Sequence, residues 1–355
     1  MDYNPYNQIP DYRRFESEPP IPEQPPFDAR SARKIFSRVG FAFALMFVLY
    51  FVGQIALIAA ISYYTYEIGY TPEWLSATST FFLLLPYYLV GVPFCALVLN
   101  GLPKDERLSS RQLPKGMLFP VFTMNVAGMV IGSIIAAFLM AAINAILPSP
   151  AGNMVAELLL GSNVWLTIIF VCIITPIMEE LAFRKLLLDR IAVFGDKTAI
   201  LISGLMFGLF HGNLYQFFYA FIFGVILAWV YLRSGKLSLP VIFHGIVNFM
   251  GGVIAPFFAN NADTAAMENL NTETLASMDP KVIATTVASG IYGLVYMGLA
   301  IAGVVLFFVY RSRLVTEKGY ITIPKGKGFR TAILNPGMMV FLIICLGMFA
   351  MSLIA

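Results

Sequence analysis

Charge is scarce in this chain. Only 12% of its 355 residues are Asp, Glu, Lys or Arg, and histidine occurs twice. With 59% hydrophobic residues and a mean hydropathy of +0.78, the chain lies well above the apolar share of about 45–50% found in soluble domains. A soluble globular domain is thereby excluded. The net charge of +3 is too small and too dispersed for a nucleic-acid partner, and none is expected. Cysteine is scarce as well: Cys95, Cys172 and Cys345 all lie in apolar runs, which excludes a disulfide framework and a cysteine-based metal site. The first 34 residues have no apolar core and no small-residue cleavage site, so they do not read as a signal peptide. No internal repeat and no soluble domain is visible.

What the chain does have is long apolar runs. Nine candidates, near 40–64, 78–100, 117–147, 163–190, 198–211, 214–232, 238–257, 286–310 and 333–355, approach the roughly 20 residues that cross about 30 Å of hydrocarbon. The expected fold class is all-α: a polytopic transmembrane bundle of about eight or nine spans. The 198–211 run is short and is read as dipping to mid-depth, or as one half of a helix broken at "HGN". If the N-terminus is cytoplasmic, every Lys and Arg except Lys281 falls on the cytoplasmic side, as charge bias at membranes requires. The C-terminus is then outside. Residues 1–36 read as a disordered Pro-rich cytosolic tail, in which "PPIPEQPP" is a docking peptide or plain linker. Residues 37–355 read as one membrane domain, and the outer loop that includes "NNADTAAMENLNTETLASMDPK" as the site of a short surface helix.

Within "TPIMEELAFRKLL" two adjacent glutamates, Glu179 and Glu180, follow an apolar run. An ionised carboxylate at the centre of a span costs about 3 kcal/mol, so it requires a partner or a function. Arg184 shares a helical face with Glu180, and a structural salt bridge at the end of a span accounts for that pair equally well. The two histidines, His211 in "FGLFHGN" and His244 in "IFHGIVNF", also lie in apolar stretches. The turn around Gly195 is 16 residues from Glu179 and 16 from His211. At about 1.5 Å per residue both sit some 24 Å from it, at matching heights on an antiparallel hairpin. The charge-rich tip 184–197 is expected to project about 10 Å into the cytosol. His244 enters the same layer from Lys236, with Asn248 one turn further on the same face, and the pair presents two donors to one oxygen.

Glu179-Glu180-x-x-x-Arg184, Phe207-x-x-x-His211 and His244-x-x-x-Asn248 together resemble the motif set of the CPBP family, the CAAX-protease and bacteriocin-processing intramembrane proteases also called the Abi family. The resemblance covers about residues 160–255, which would form the catalytic core. It implies an intramembrane endopeptidase whose substrate is a peptide or membrane-associated protein. Glu179 with His211 would activate water, His244 and Asn248 would stabilise the oxyanion, Arg184 would hold the glutamates, and Glu180 would share a proton. Two adjacent carboxylates in a cavity should titrate as a coupled pair. Metal-free catalysis is preferred, with no cofactor, since HExxH spacing is lacking. The alternative is a divalent metal such as zinc on Glu179, Glu180, His211 and His244. The rivals to a protease are a catalytically silent scaffold of the same fold, serving envelope assembly or bacteriocin immunity, and an ion-coupled transporter. A bacterial cytoplasmic membrane is the expected location, with the bilayer as constant partner.

Overall fold

The computed structural model describes residues 29–261, 278–324 and 326–354. Within them every regular element is helical, as expected where only internally bonded backbone can lie in lipid. Eight helices are long and apolar enough to span a bilayer: α1 (Ala29–Ile68), α2 (Glu73–Leu99), α3 (Leu118–Asn144), α4 (Val164–Phe194), α6 (Leu214–Ser234), α7 (Ser238–Asn261), α8 (Pro280–Arg313) and α9 (Pro336–Ile354). Between α4 and α6 lies α5 (Asp196–Phe210). Its 15 residues reach about 22 Å, short of the hydrocarbon thickness. The protein is therefore an integral multi-pass membrane protein, with eight helices of spanning length and the shorter α5 between α4 and α6 among the described residues. The broken-helix alternative for 198–232 does not hold. The chain turns back at Gly212, where φ is +66°, Asn213 caps α6 by accepting from the Gln216 amide, and α5 and α6 pack antiparallel, Gly204 against Val225 and Gly208 against Phe217.

The tail reading needs one correction. Residues 29–36 are the start of α1, because "SARKIFSRV" places Ala32, Ile35, Phe36 and Val39 on one face, all buried. Residues 1–28, with "PPIPEQPP", lie outside the described residues, as does 262–277, where the surface helix was expected. α1 and α9 meet at a glycine pair: a Cβ on Gly337 would sit 1.7 Å from the Ser37 carbonyl oxygen, so no other residue permits this approach.

The basic segments gather at one end of the bundle, the end that charge bias assigns to the cytoplasm. Arg38 donates to the carbonyls of Val98 and Asn100, the Asp105 amide to the carbonyl of Asp189, and Arg33 to that of Leu334. The hairpin tip between α4 and α5 does not project into water as expected. Asp189, Arg190 and Asp196 are buried, because each finds an internal partner. Tyr231 donates to Asp189 at 2.6 Å, Arg190 to the Leu99 carbonyl at 2.9 Å, and Arg111 to Asp196 at 2.9 Å. Glu317 bridges Arg111 and Arg233 at 2.8 and 2.9 Å. Gly195 turns the tip with φ +101°, against the backbone of Gly319. A pinned tip sets the relative height of α4 and α5, and with it the depth of the polar side chains they carry.

Candidate active site

α4 is irregular where it matters. Its backbone runs in π register over Thr167–Ile174 and again over Leu181–Leu186, and the regular α turn between them, Thr175–Glu180, carries both glutamates. Such π segments recur at functional sites because they rotate the residues that follow. The first ends where Pro176, without an N–H, would have to donate to the carbonyl of Val171, five residues earlier. Asn248 takes over that role: its Nδ2 donates to the Val171 oxygen at 2.8 Å. The proline thus prescribes a side-chain donor on α7. Asn248→Ala is expected to destabilise the protein by about 1–3 kcal/mol by orphaning that carbonyl. Adding Pro176→Ala should recover much of the loss, because the new backbone N–H can donate instead. Unfolding titrations in mixed micelles check this, and additive losses would refute it.

Glu180 is fully buried and held from two sides. Arg184 Nε approaches one oxygen at 2.7 Å, and His244 Nδ1 hydrogen-bonds the other at 2.9 Å. Arg184, also fully buried, donates to Ser203 Oγ at 2.9 Å, and Ser203 donates to the Phe183 carbonyl at 3.1 Å. Its guanidinium lies 4.9 Å from the centre of the Phe207 ring. Glu179 is 8% exposed, against 0% for Glu180. The Nε2 of His244 stands 3.8 Å from Glu179, so one imidazole lies between both carboxylates.

α4 and α5 are antiparallel, with Arg184 opposite Ser203 and Phe183 opposite Phe207 and Phe210. This register brings His211 to the height of Glu179, as the spacing predicts. The partners are distributed differently from the family-implied assignment. The histidine beside the glutamates is His244. His211 turns its Nδ1 back to the Phe207 carbonyl at 2.9 Å, and both rings stand edge-on to Phe207, with centroids 5.0 and 5.8 Å away. A carbonyl can only accept, so His211 carries its proton on Nδ1 and its Nε2 is an acceptor when the ring is neutral. Asn248 is tied to Val171 O by one of its two amide hydrogens.

Among the described residues no three His, Cys, Asp or Glu side chains gather closely enough to hold one metal ion. Sequence reasoning missed Tyr50, Tyr87, Tyr88 and Tyr219, all within electrostatic range of Glu179. "LLLPYYLVG" places two phenols in an apolar run, but in a chain with 17 tyrosines that signal is weak. Tyr219 also lines a cavity of about 270 Å³ shared with Leu159, Gln216, Gly251 and Pro256.

With this geometry in view, the comparisons with known proteins are informative. The family model "Type II CAAX prenyl endopeptidase Rce1-like" matches residues 161–250, the stretch that contains both glutamates, Arg184, both histidines and Asn248. CAAX prenyl protease 2 of Homo sapiens is 32% identical over 100 residues, 22% of this chain and 30% of the relative. Membrane-embedded CAAX protease MroQ of Staphylococcus aureus (strain USA300) is 30% identical over 98 residues, 26% of this chain and 40% of the relative. The chain thus spans well under half the length of the curated relatives it matches. No solved structure matches it. The similarity to the type II CAAX prenyl endopeptidase Rce1-like family thus falls on residues 161–250, the segment that builds the buried glutamate–histidine layer.

Proposed function

We propose that this protein is an intramembrane endopeptidase that hydrolyses a peptide bond of a membrane-associated peptide or protein with a water activated by Glu179. The observation that carries the proposal is the buried chain from Glu179 through His244 and Glu180 to Arg184. A salt bridge serving the fold alone requires Glu180 and Arg184. Glu179 and His244 add desolvated polar groups that a structural pair does not need, and such groups in a membrane mark chemistry.

In the proposed reaction Glu179 takes a proton from the water as its oxygen bonds to the scissile carbonyl carbon, whose π electrons move onto the carbonyl oxygen. The C–N bond then breaks as Glu179 passes that proton to the leaving nitrogen. The water is divided between the new carboxyl and the new amine. The Nε2 lone pair of His211 accepts a hydrogen bond from the water and orients it. Arg184 balances Glu180, so a protonated His244 makes the cluster neutral. Its Nδ1–H is held by Glu180, which leaves Nε2–H and the second amide hydrogen of Asn248 for the developing oxyanion. Base catalysis of this kind contributes about 10²–10⁴-fold, and one oxyanion donor about 10²–10³-fold.

We infer that no metal takes part, because Glu180 is committed to Arg184 and His244. Metal analysis of purified active protein checks this. Stoichiometric zinc whose chelation abolishes cleavage would reverse the inference. The orientation, with this layer reached from the cytoplasmic side of a bacterial membrane, rests on the placement of Lys and Arg. The relatives' names point to prenylated and unprenylated CAAX sequences as the first substrates to offer. The direct test compares peptides released from membranes carrying wild-type or Glu179→Ala protein by mass spectrometry. Peptides present only with the wild type are expected. Identical peptide sets, together with full function of the variant in cells, would establish a scaffold instead, and ion uptake by proteoliposomes without cleavage a transporter.

A further inference from the structure

Outside the matched segment, the first two helices bring three phenols together in a cluster that Tyr88 joins to α4 one turn before Glu179. Tyr87 and Tyr88 come from α2 and Tyr50 from α1; the Tyr87 ring lies 5.8 Å from Tyr50 and 5.6 Å from Tyr88. The Tyr88 hydroxyl is hydrogen-bonded to Thr175 Oγ1 at 2.5 Å, one turn before Glu179. Tyr87 is different. It is 3% exposed, and its hydroxyl has no hydrogen-bond partner among the described residues. Its ring packs 5.1 Å from Phe210, whose own ring is 6.3 Å from His211. Through Tyr88, which bonds Thr175 one turn before Glu179, the Tyr87 ring is placed in the layer that holds the glutamates.

A buried hydroxyl without a partner opposes folding, and native structures hold few of them without a functional reason. The same sequence offered simple alternatives, since phenylalanine at 87 would fill the space and pack on Phe210 equally well. A donor kept dry in the same layer as the glutamates is instead suited to a third party that enters the site, the water or the substrate carbonyl. Its approach from α2 differs from that of His244 on α7, so the two would hold the water from separate directions.

We propose that Tyr87 is a further catalytic residue of this site, its hydroxyl hydrogen-bonding the water that Glu179 activates. The proposal rests on the protease reading above. It brings a residue of the N-terminal helices into a reaction otherwise confined to residues 161–250.

The test is Tyr87→Phe, which removes only the hydroxyl, measured in three ways on the full chain: melting temperature in detergent, kcat and KM on a released-peptide sequence, and the infrared carboxyl band of Glu179, identified by its loss in Glu179→Gln. Expected are a melting temperature no lower than wild type, kcat reduced at least tenfold with KM within twofold, and a displaced Glu179 band, because the hydrogen-bonded water has lost one of its holders. Wild-type kcat with an undisplaced band overturns the proposal. So does a lower melting temperature, which would mean that the hydroxyl serves the fold. Should no form of the protein cleave any peptide, the band still decides. A displaced band keeps Tyr87 as a partner of Glu179 while the protease reading fails, and an undisplaced one removes it.

Discussion

Glu179→Gln is expected to abolish peptide release while leaving the protein folded. Glutamine has the shape of glutamate and accepts the same contact from His244, 3.8 Å away, but it cannot take a proton from water. The loss of base catalysis amounts to about 10²–10⁴-fold. It grows further if the leaving nitrogen then departs unprotonated. Glutamine occupies the same volume without a charge to bury, so the melting temperature should stay level. Single-turnover cleavage in proteoliposomes measures the first quantity and thermal unfolding the second. A variant that cleaves at more than a tenth of the wild-type rate would remove Glu179 from the chemistry.

Arg184→Ala is expected to be the most damaging single change to the fold. Arg184 is fully buried, and it touches Glu180, Ser203 and the Phe207 ring at once. Its removal leaves Glu180 charged and half-partnered in a dry layer, at a cost of about 3–5 kcal/mol. The cavity left by the side chain adds to this. The paired change Glu180→Gln with Arg184→Met should lose much less, because no charge is stranded and the methionine fills part of the volume. Cleavage should remain low in the double variant, since His244 no longer has an anion on Nδ1. Reversible unfolding in mixed micelles distinguishes the three proteins. Equal stabilities of Arg184→Ala and wild type would show that the pair does not bear on the fold.

The two changes separate the roles of neighbouring glutamates. Glu180 is held by one cation and one imidazole, which suits an anchor. Glu179 is close to one imidazole and has no Lys or Arg partner of its own among the described residues, which suits a group left free to take a proton. Adjacent residues on a helix point about 100° apart, so a contiguous pair can supply an anchor and a reacting group from a single turn.

Much of this was legible before any coordinates. Composition alone indicated a membrane protein, because an apolar share this high has no other stable solvent. Charge placement gave the alternation of loops, since lysine and arginine are costly to translocate, and the basic segments do meet at one end. The constant rise of a helix put Glu179 and His211 at matching heights on either side of Gly195, and the antiparallel pairing of Arg184 with Ser203 agrees with it. Glu180 with Arg184 followed from a four-residue step. Each of these depends on a local rule or a one-dimensional distance along a rigid rod.

Tertiary structure decided the rest. Rotation of a helix about its axis is set by packing and by local register, and two π segments in α4 shift that rotation in ways that spacing cannot reveal. They determine that His244 meets both glutamates and that Asn248 serves Val171 O. The charged tip 189–196 looked like a solvent-facing turn because charge prefers water. It is buried because partners far along the chain, Arg111, Tyr231 and Glu317, satisfy it, and only the folded bundle brings those distances to hydrogen-bond length. Tyr87 is the extreme case: a residue with no motif of its own, whose hydroxyl only the folded bundle buries without a partner among the described residues. Sequence by itself determined the solvent, the helices and the polar layer, through periodicities that each segment carries alone. Which side chains touch within that layer was decided by packing, because contact is a property of several helices at once.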